Sequence, residues 1–178
     1  MSLLLKNIIR FFLFIFIQVY LLDKIPMISR FTKPYQYYLF LLWLPYTMPR
    51  LALLGIGFVF GLTMDYFTGT PGYHASACVL IAYLRPFVLN VLLPREKSEI
   101  SYLEPGVKSL GFPQYAAYIF IMTFLHNTCL VFIEWMSFGD ILFFLTKVIC
   151  TTVISMLLVA IAELLFLRKS RFRTNTAY

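Results

Sequence analysis

Few residues of this chain could do chemistry, and most of them lie inside apolar sequence. Asp65 and His74 flank the turn "TGTPG", nine residues apart, so an acid and a base could meet across a hairpin. A histidine making only a local hydrogen bond at that depth is the alternative. His126 and Asn127 form a second polar pair, expected to face a neighbouring helix. The two histidines are far apart, and Cys78, Cys129 and Cys150 show no Cys-x-x-Cys spacing, so no disulfide framework, metal site or cofactor is expected. There is no glycine-rich phosphate loop and no Gly-x-Ser-x-Gly elbow. Asp65 has no carboxylate partner at catalytic spacing, so the chain is not expected to be an enzyme.

The elements that hold these residues follow from composition. Of 178 residues, 61% are hydrophobic and only 13% charged, about half the charged share of an ordinary soluble domain. One small core cannot hide that much apolar surface, so the chain is expected to be an all-α polytopic membrane protein with no soluble appendage. A net charge of +7 then points to cytoplasmic loops and anionic lipid, not to nucleic acid.

Six spans are expected, at about 5–22, 35–48, 51–68, 73–93, 113–136 and 139–167. The first resembles a signal peptide, with Lys6 and Arg10 before its apolar part. Asp23, Lys24 and Pro26 follow in place of small residues, so it reads as an uncleaved helix. The second is bracketed by Pro34 and Pro49 and broken by Pro45, which makes it either a kinked, thin span or a re-entrant segment. With six spans, ten Lys and Arg fall on one side, including Arg50 and the tail Arg168–Arg173, against Lys24, Arg30 and Lys33 on the other. Both termini are therefore expected in the cytoplasm. A cytoplasmic loop, 94–111, balances Arg95, Lys97 and Lys108 against Glu96, Glu99 and Glu104. Being neutral, it is expected to meet a protein more than a lipid surface. A basic cytoplasmic tail covers 168–178.

This frame locates the opening residues. Asp65 lies fifteen residues beyond Arg50, about 22 Å along a helix, near the outer interface. Gly57, Gly61 and Asp65 recur every four residues and share one face. Glycines at that spacing let a neighbouring backbone approach closely, so Asp65 points along a packing seam, where it either simply reaches interfacial water or makes a fixed polar contact with another helix or a partner protein. Gly69, Pro71 and Gly72 make the turn that follows. Arg85 lies in the inner half of its span and either snorkels to the cytoplasm or pairs inside the bundle. Glu134, Asp140 and Lys147 map to the outer third, where one lysine among acids predicts a polar network. Glu163, near the inner end, is expected to form a helix-end salt bridge.

The stretch "GFVFGLTMDYFTGTPGYHASACVLIAYLRP", residues 57–86, resembles the hairpin typical of the bacterial rod shape-determining MreD family. Length, span number and a basic end are also similar; elsewhere the likeness is one of hydropathy alone. Pro71-Gly72 stands where many members have Leu-Gly, and "TKPYQYYLF" lacks the acid or asparagine often found after the proline. The resemblance implies a non-enzymatic scaffold in the bacterial inner membrane. It would work with an MreC-type bitopic protein, actin-like MreB, a RodA-type polymerase and a class-B penicillin-binding transpeptidase in side-wall peptidoglycan synthesis and cell shape. That family is also similar in fold to the substrate-binding subunits of energy-coupling-factor transporters. A small-molecule-binding transport subunit is therefore the rival expectation.

Overall fold

The computed structural model describes residues 3–24, 33–93, 104–136 and 139–165. The protein is all-α, and among the described residues five helices are long and apolar enough to cross a membrane. The first comprises α1 (Leu3–Phe16) and a π-helical continuation, Ile17–Leu22. The others are α3 (Arg50–Thr68), α4 (Tyr73–Leu92), α6 (Phe112–Glu134) and α7 (Ile141–Leu165). At 1.5 Å per residue each approaches or exceeds the ~30 Å of a hydrocarbon core. Their outward faces carry large apolar side chains such as Phe12, Leu51, Tyr66, Val91 and Leu164. Two short helices, α2 (Leu39–Leu42) and α5 (Val107–Leu110), complete the described elements. The basic tail and most of the 94–111 loop lie outside the described residues.

The expected second span needs correction. Residues 35–48 contain only the four residues of α2, and the rest is irregular. Tyr35 to Pro45 are nevertheless all buried, with Tyr37, Tyr38, Leu39, Leu41 and Leu42 at 0% exposure. Prolines at 34, 45 and 49 withhold backbone donors, so a full helix cannot form. Irregular backbone survives at membrane depth only where protein surrounds it and satisfies its polar groups. Here the neighbouring helices do so with side chains. Gln18, in the π-helical stretch, donates to the Pro34 carbonyl at 2.9 Å and accepts the Gln36 N–H at 3.0 Å. Ser155 of α7 accepts the Tyr35 N–H at 3.3 Å. Tyr118 of α6 donates to the Leu42 carbonyl at 3.1 Å, and Arg85 of α4 donates to the Leu44 carbonyl.

This buried segment runs from one end of the bundle to the other. Lys33 lies 3.8 Å from Glu134, at what we call the Glu134 end. At the opposite, Glu163 end, the Trp43 indole N–H donates to Glu163 at 2.9 Å, and Tyr115 donates to the same carboxylate. Arg10 sits over the Trp43 ring at 5.3 Å. Lys6 and Arg10 of α1 also hold Glu104, at 3.0 and 3.1 Å. The start of α1 and the close of α7 thus share one end of the bundle. Between α1 and α3 the buried irregular segment carries the chain from the Glu134 end to the Glu163 end. Glu163 is tied to an indole and a phenol of the bundle, in addition to any ion pair.

Candidate functional site: the α3–α4 hairpin and the polar core

The glycine stripe and the acid form one device. A Cβ on Gly61 would come within 2.7 Å of the His74 carbonyl oxygen and 2.8 Å of the Ala75 nitrogen. One on Gly57 would meet the Ala82 Cβ at 3.1 Å and the Cys78 carbonyl oxygen at 3.2 Å. Only glycine lets α3 lie this close to the first turns of α4. That approach brings the Asp65 carboxylate onto the start of α4. It accepts the backbone N–H groups of His74 at 2.8 Å and of Gly72 and Ala75 at 3.0 Å each. The first turn of a helix leaves such donors without intrahelical partners, and the aligned peptide dipoles favour a negative charge there. The N-cap residue, Gly72, has no side chain to serve them, so Asp65 caps α4 from the preceding helix. Gly69 (φ 68°) and Gly72 (φ 87°) hold the left-handed conformations of the turn, and Pro71 sits exposed between them.

The donor expected for Asp65 is therefore corrected. Its donors are backbone N–H groups and, at 3.4 Å, the Thr70 hydroxyl, not the His74 imidazole. The His74 ring turns inward: its Nδ1 lies 2.6 Å from the Tyr37 hydroxyl, which lies 2.8 Å from His126 Nε2. His126 Nδ1 is 3.3 Å from Asn127 Oδ1, and Asn127 Nδ2 donates to Thr152 Oγ1 at 3.4 Å. Tyr38, its ring tilted against that of His126 at 4.3 Å, donates to Thr123 at 3.0 Å. A continuous polar chain thus joins α4, the buried segment, α6 and α7.

Arg85 does not snorkel. It is 3% exposed and donates through Nε to the Tyr118 hydroxyl at 3.2 Å and through Nη2 to the Leu44 carbonyl. Its role is to hold irregular backbone, and no described carboxylate pairs with it. Glu134 and Lys147 do meet, and Lys33 joins them more loosely. Asp140 stands apart from that network. Its carboxylate accepts the Leu142 N–H at 2.9 Å and so caps α7. Tyr37, Gln18, Tyr118 and Ser155 escaped the sequence reading; the prolines bracketing "YQYY" were the available signal.

Two hollows adjoin these residues. A cavity of about 370 Å³ opens at the Glu134 end between Asp23, Lys33, Tyr35, Tyr73, His74 and Glu134. Partial burial raises the Asp23 carboxyl above the usual range, opposed by the hydrogen bond from Gln18 and by Lys33 and Lys24. An apolar groove of about 730 Å³ runs along α1 and α3 beside residues 40–49, lined by Ile8, Phe12, Gly55 and Val59 among others. His74 with Cys78 and His126 with Cys129 have helical spacing. Among the described residues, though, no three His, Cys, Asp or Glu side chains gather as a metal site. No family model, curated protein or solved structure matches this chain.

Proposed function

We propose that the protein is a non-enzymatic scaffold of the MreD kind. In this reading it sits in the bacterial inner membrane and helps direct side-wall peptidoglycan synthesis. The supporting observation is Gly55. Gly57 and Gly61 are glycines because α4 presses on them, but a Cβ on Gly55 would meet nothing within 4 Å. Gly55 lies in the apolar groove between outward-facing Ile8, Phe12 and Val59. A small residue in such a face lets a second backbone come close. The occupant that fits is a transmembrane helix of a partner, and the bitopic MreC-type protein is the partner proposed. RodA-type polymerase, class-B transpeptidase and MreB complete the assembly, with membrane lipid on the remaining faces. The basic residues Lys6, Arg10 and Arg50 favour a cytoplasmic Glu163 end and cytoplasmic termini.

Purification in mild detergent, followed by identification of co-purifying proteins, tests this reading. Gly55→Leu is expected to accumulate and fold normally yet release the bitopic partner. Retention of every partner by Gly55→Leu would overturn the groove assignment. The rival reading, a transport subunit for a small molecule, draws on the cavity at the Glu134 end. Co-purification with ATPase coupling subunits in place of wall-synthesis proteins would favour it.

A further inference from the structure

We propose that the 370 Å³ cavity at the Glu134 end binds an aminoalkyl phosphate, the headgroup chemistry of phosphatidylethanolamine, with its ammonium between Asp23 and the Tyr35 hydroxyl and its phosphate on Lys24 and Lys33. Tyr35 carries this inference. It is 6% exposed, and its backbone N–H donates to Ser155. Its hydroxyl has no hydrogen-bond partner among the described residues, yet the atom is not sealed from solvent. The residue lines the cavity, and Asp23 and Glu134 of the same wall lie within electrostatic reach of the hydroxyl. A buried tyrosine ordinarily finds a partner for its O–H. Here the oxygen is left as a free acceptor near two carboxylates, and the complementary guest is a cation with N–H groups.

The two carboxylates are not equivalent. Lys147 holds Glu134, and Lys33 reaches it at 3.8 Å. Asp23 has no ion pair among the described residues, and its one side-chain hydrogen bond comes from the Gln18 amide at 2.9 Å. Partial burial already penalises its charge, so a cation seated there relieves an existing cost. A primary ammonium brings three N–H donors for Asp23 and Tyr35, whereas a quaternary one brings none. Lys24 has no ion pair among the described residues and Lys33 only the loose one, so both can take an anion tethered to the ammonium. The place in the fold favours a lipid as the source. Asp23 follows the first long helix, Phe67 stands one residue before the end of α3, Tyr73 opens α4 and Glu134 ends α6. The cavity therefore lies where a bilayer places its headgroups. Phe67 of its wall is 48% exposed, and Thr63 and Val59 continue the same face of α3 toward the bilayer centre at a spacing of four. Acyl chains have a path along that face. The inference stands apart from the scaffold reading, since a scaffold or a transport subunit could hold such a lipid.

Native mass spectrometry of the detergent-purified protein tests this directly. The probes are phosphatidylethanolamine, phosphatidylcholine and phosphatidylglycerol with identical acyl chains. Phosphatidylethanolamine should bind about tenfold more tightly than the other two, because choline offers no N–H and glycerol no cation. Tyr35→Phe removes only an unpaired hydroxyl, so the fold is kept, and binding should weaken by roughly three- to tenfold, the range of one neutral hydrogen bond. Asp23→Asn should weaken it by roughly tenfold or more, since the bond it removes is charge-assisted. Tyr66→Phe, at a tyrosine 84% exposed beside the wall, should bind as wild type does. Soluble O-phosphoethanolamine separates the sources. Failure to displace the lipid assigns the site to a membrane lipid, and saturable binding with displacement assigns the same chemistry to the free compound. Equal binding of all three lipids with no binding of O-phosphoethanolamine would overturn the proposal. So would wild-type affinity in both Tyr35→Phe and Asp23→Asn.

Discussion

Asp65→Asn isolates the capping of α4. In the native hairpin one carboxylate oxygen takes the His74 N–H and the other takes those of Gly72 and Ala75. Asparagine offers one oxygen. Set on the doubly bonded side, it keeps two acceptances and turns its amide N–H₂ toward the third donor. One buried N–H is then unpaired, at about 1–3 kcal/mol, and two charge-assisted bonds become neutral ones, losing about 1 kcal/mol together. The lost interaction with the helix dipole adds about 0.5 kcal/mol. The expected total is about 3 kcal/mol, and Asp65→Leu, which accepts nothing, should exceed it. Reversible unfolding in mixed detergent micelles measures the change. Amide exchange at His74 and Ala75 localises it, and should rise by about 100-fold, since 1.4 kcal/mol is a factor of ten. Stability within 1 kcal/mol of wild type, with both amides exchanging as before, would refute the argument.

Gly61→Ala should destabilise by about 3 kcal/mol, because its new methyl meets backbone that cannot swing aside, while Gly55→Ala should be neutral or slightly stabilising in the same unfolding assay. Arg85→Met should cost about 2–3 kcal/mol by orphaning the Leu44 carbonyl, read as a lower melting temperature by fluorescence-detected size exclusion. Glu134→Gln should cost about 1 kcal/mol, since the pairs with Lys147 and Lys33 are partly exposed; salt should narrow the difference from wild type. Reporter fusions after Tyr178 should score cytoplasmic, and an external C-terminus would defeat the proposed orientation.

The five long helices were legible because lipid imposes one simple demand, continuous apolar sequence of sufficient length. Residues 35–48 meet that demand in composition and fail it in backbone chemistry. Their burial comes from other helices, which no local pattern reports. The common face of Gly57, Gly61 and Asp65 could be read from spacing alone. The donors could not, since the N–H groups opening a helix carry no distinguishing residue type. Asp140 before the apolar run "ILFFL" was a readable N-cap, and its assignment to a charge network overlooked that simpler use. The pairing of Glu134 with Lys147 was visible as matched depth and opposite sign. Arg85 was open between two fates because its true acceptors, a phenol and a backbone carbonyl, are ordinary residues anywhere else.

The irregular segment also sets a timetable for biosynthesis. Tyr35 waits for a partner 120 residues further on, Ser155, and Gln36 waits for the Leu158 carbonyl. At the ~5–20 residues per second of translation, that gap lasts roughly 6 to 24 s. Through that interval α1 can enter the bilayer, but the segment behind it cannot rest in lipid with its backbone unpaired. It must linger at the water interface or within the insertion machinery until α7 emerges. Chains truncated before α7 should therefore be recognised as incomplete and degraded. In this sense α7 acts as the checkpoint for the buried segment that α1 leads into.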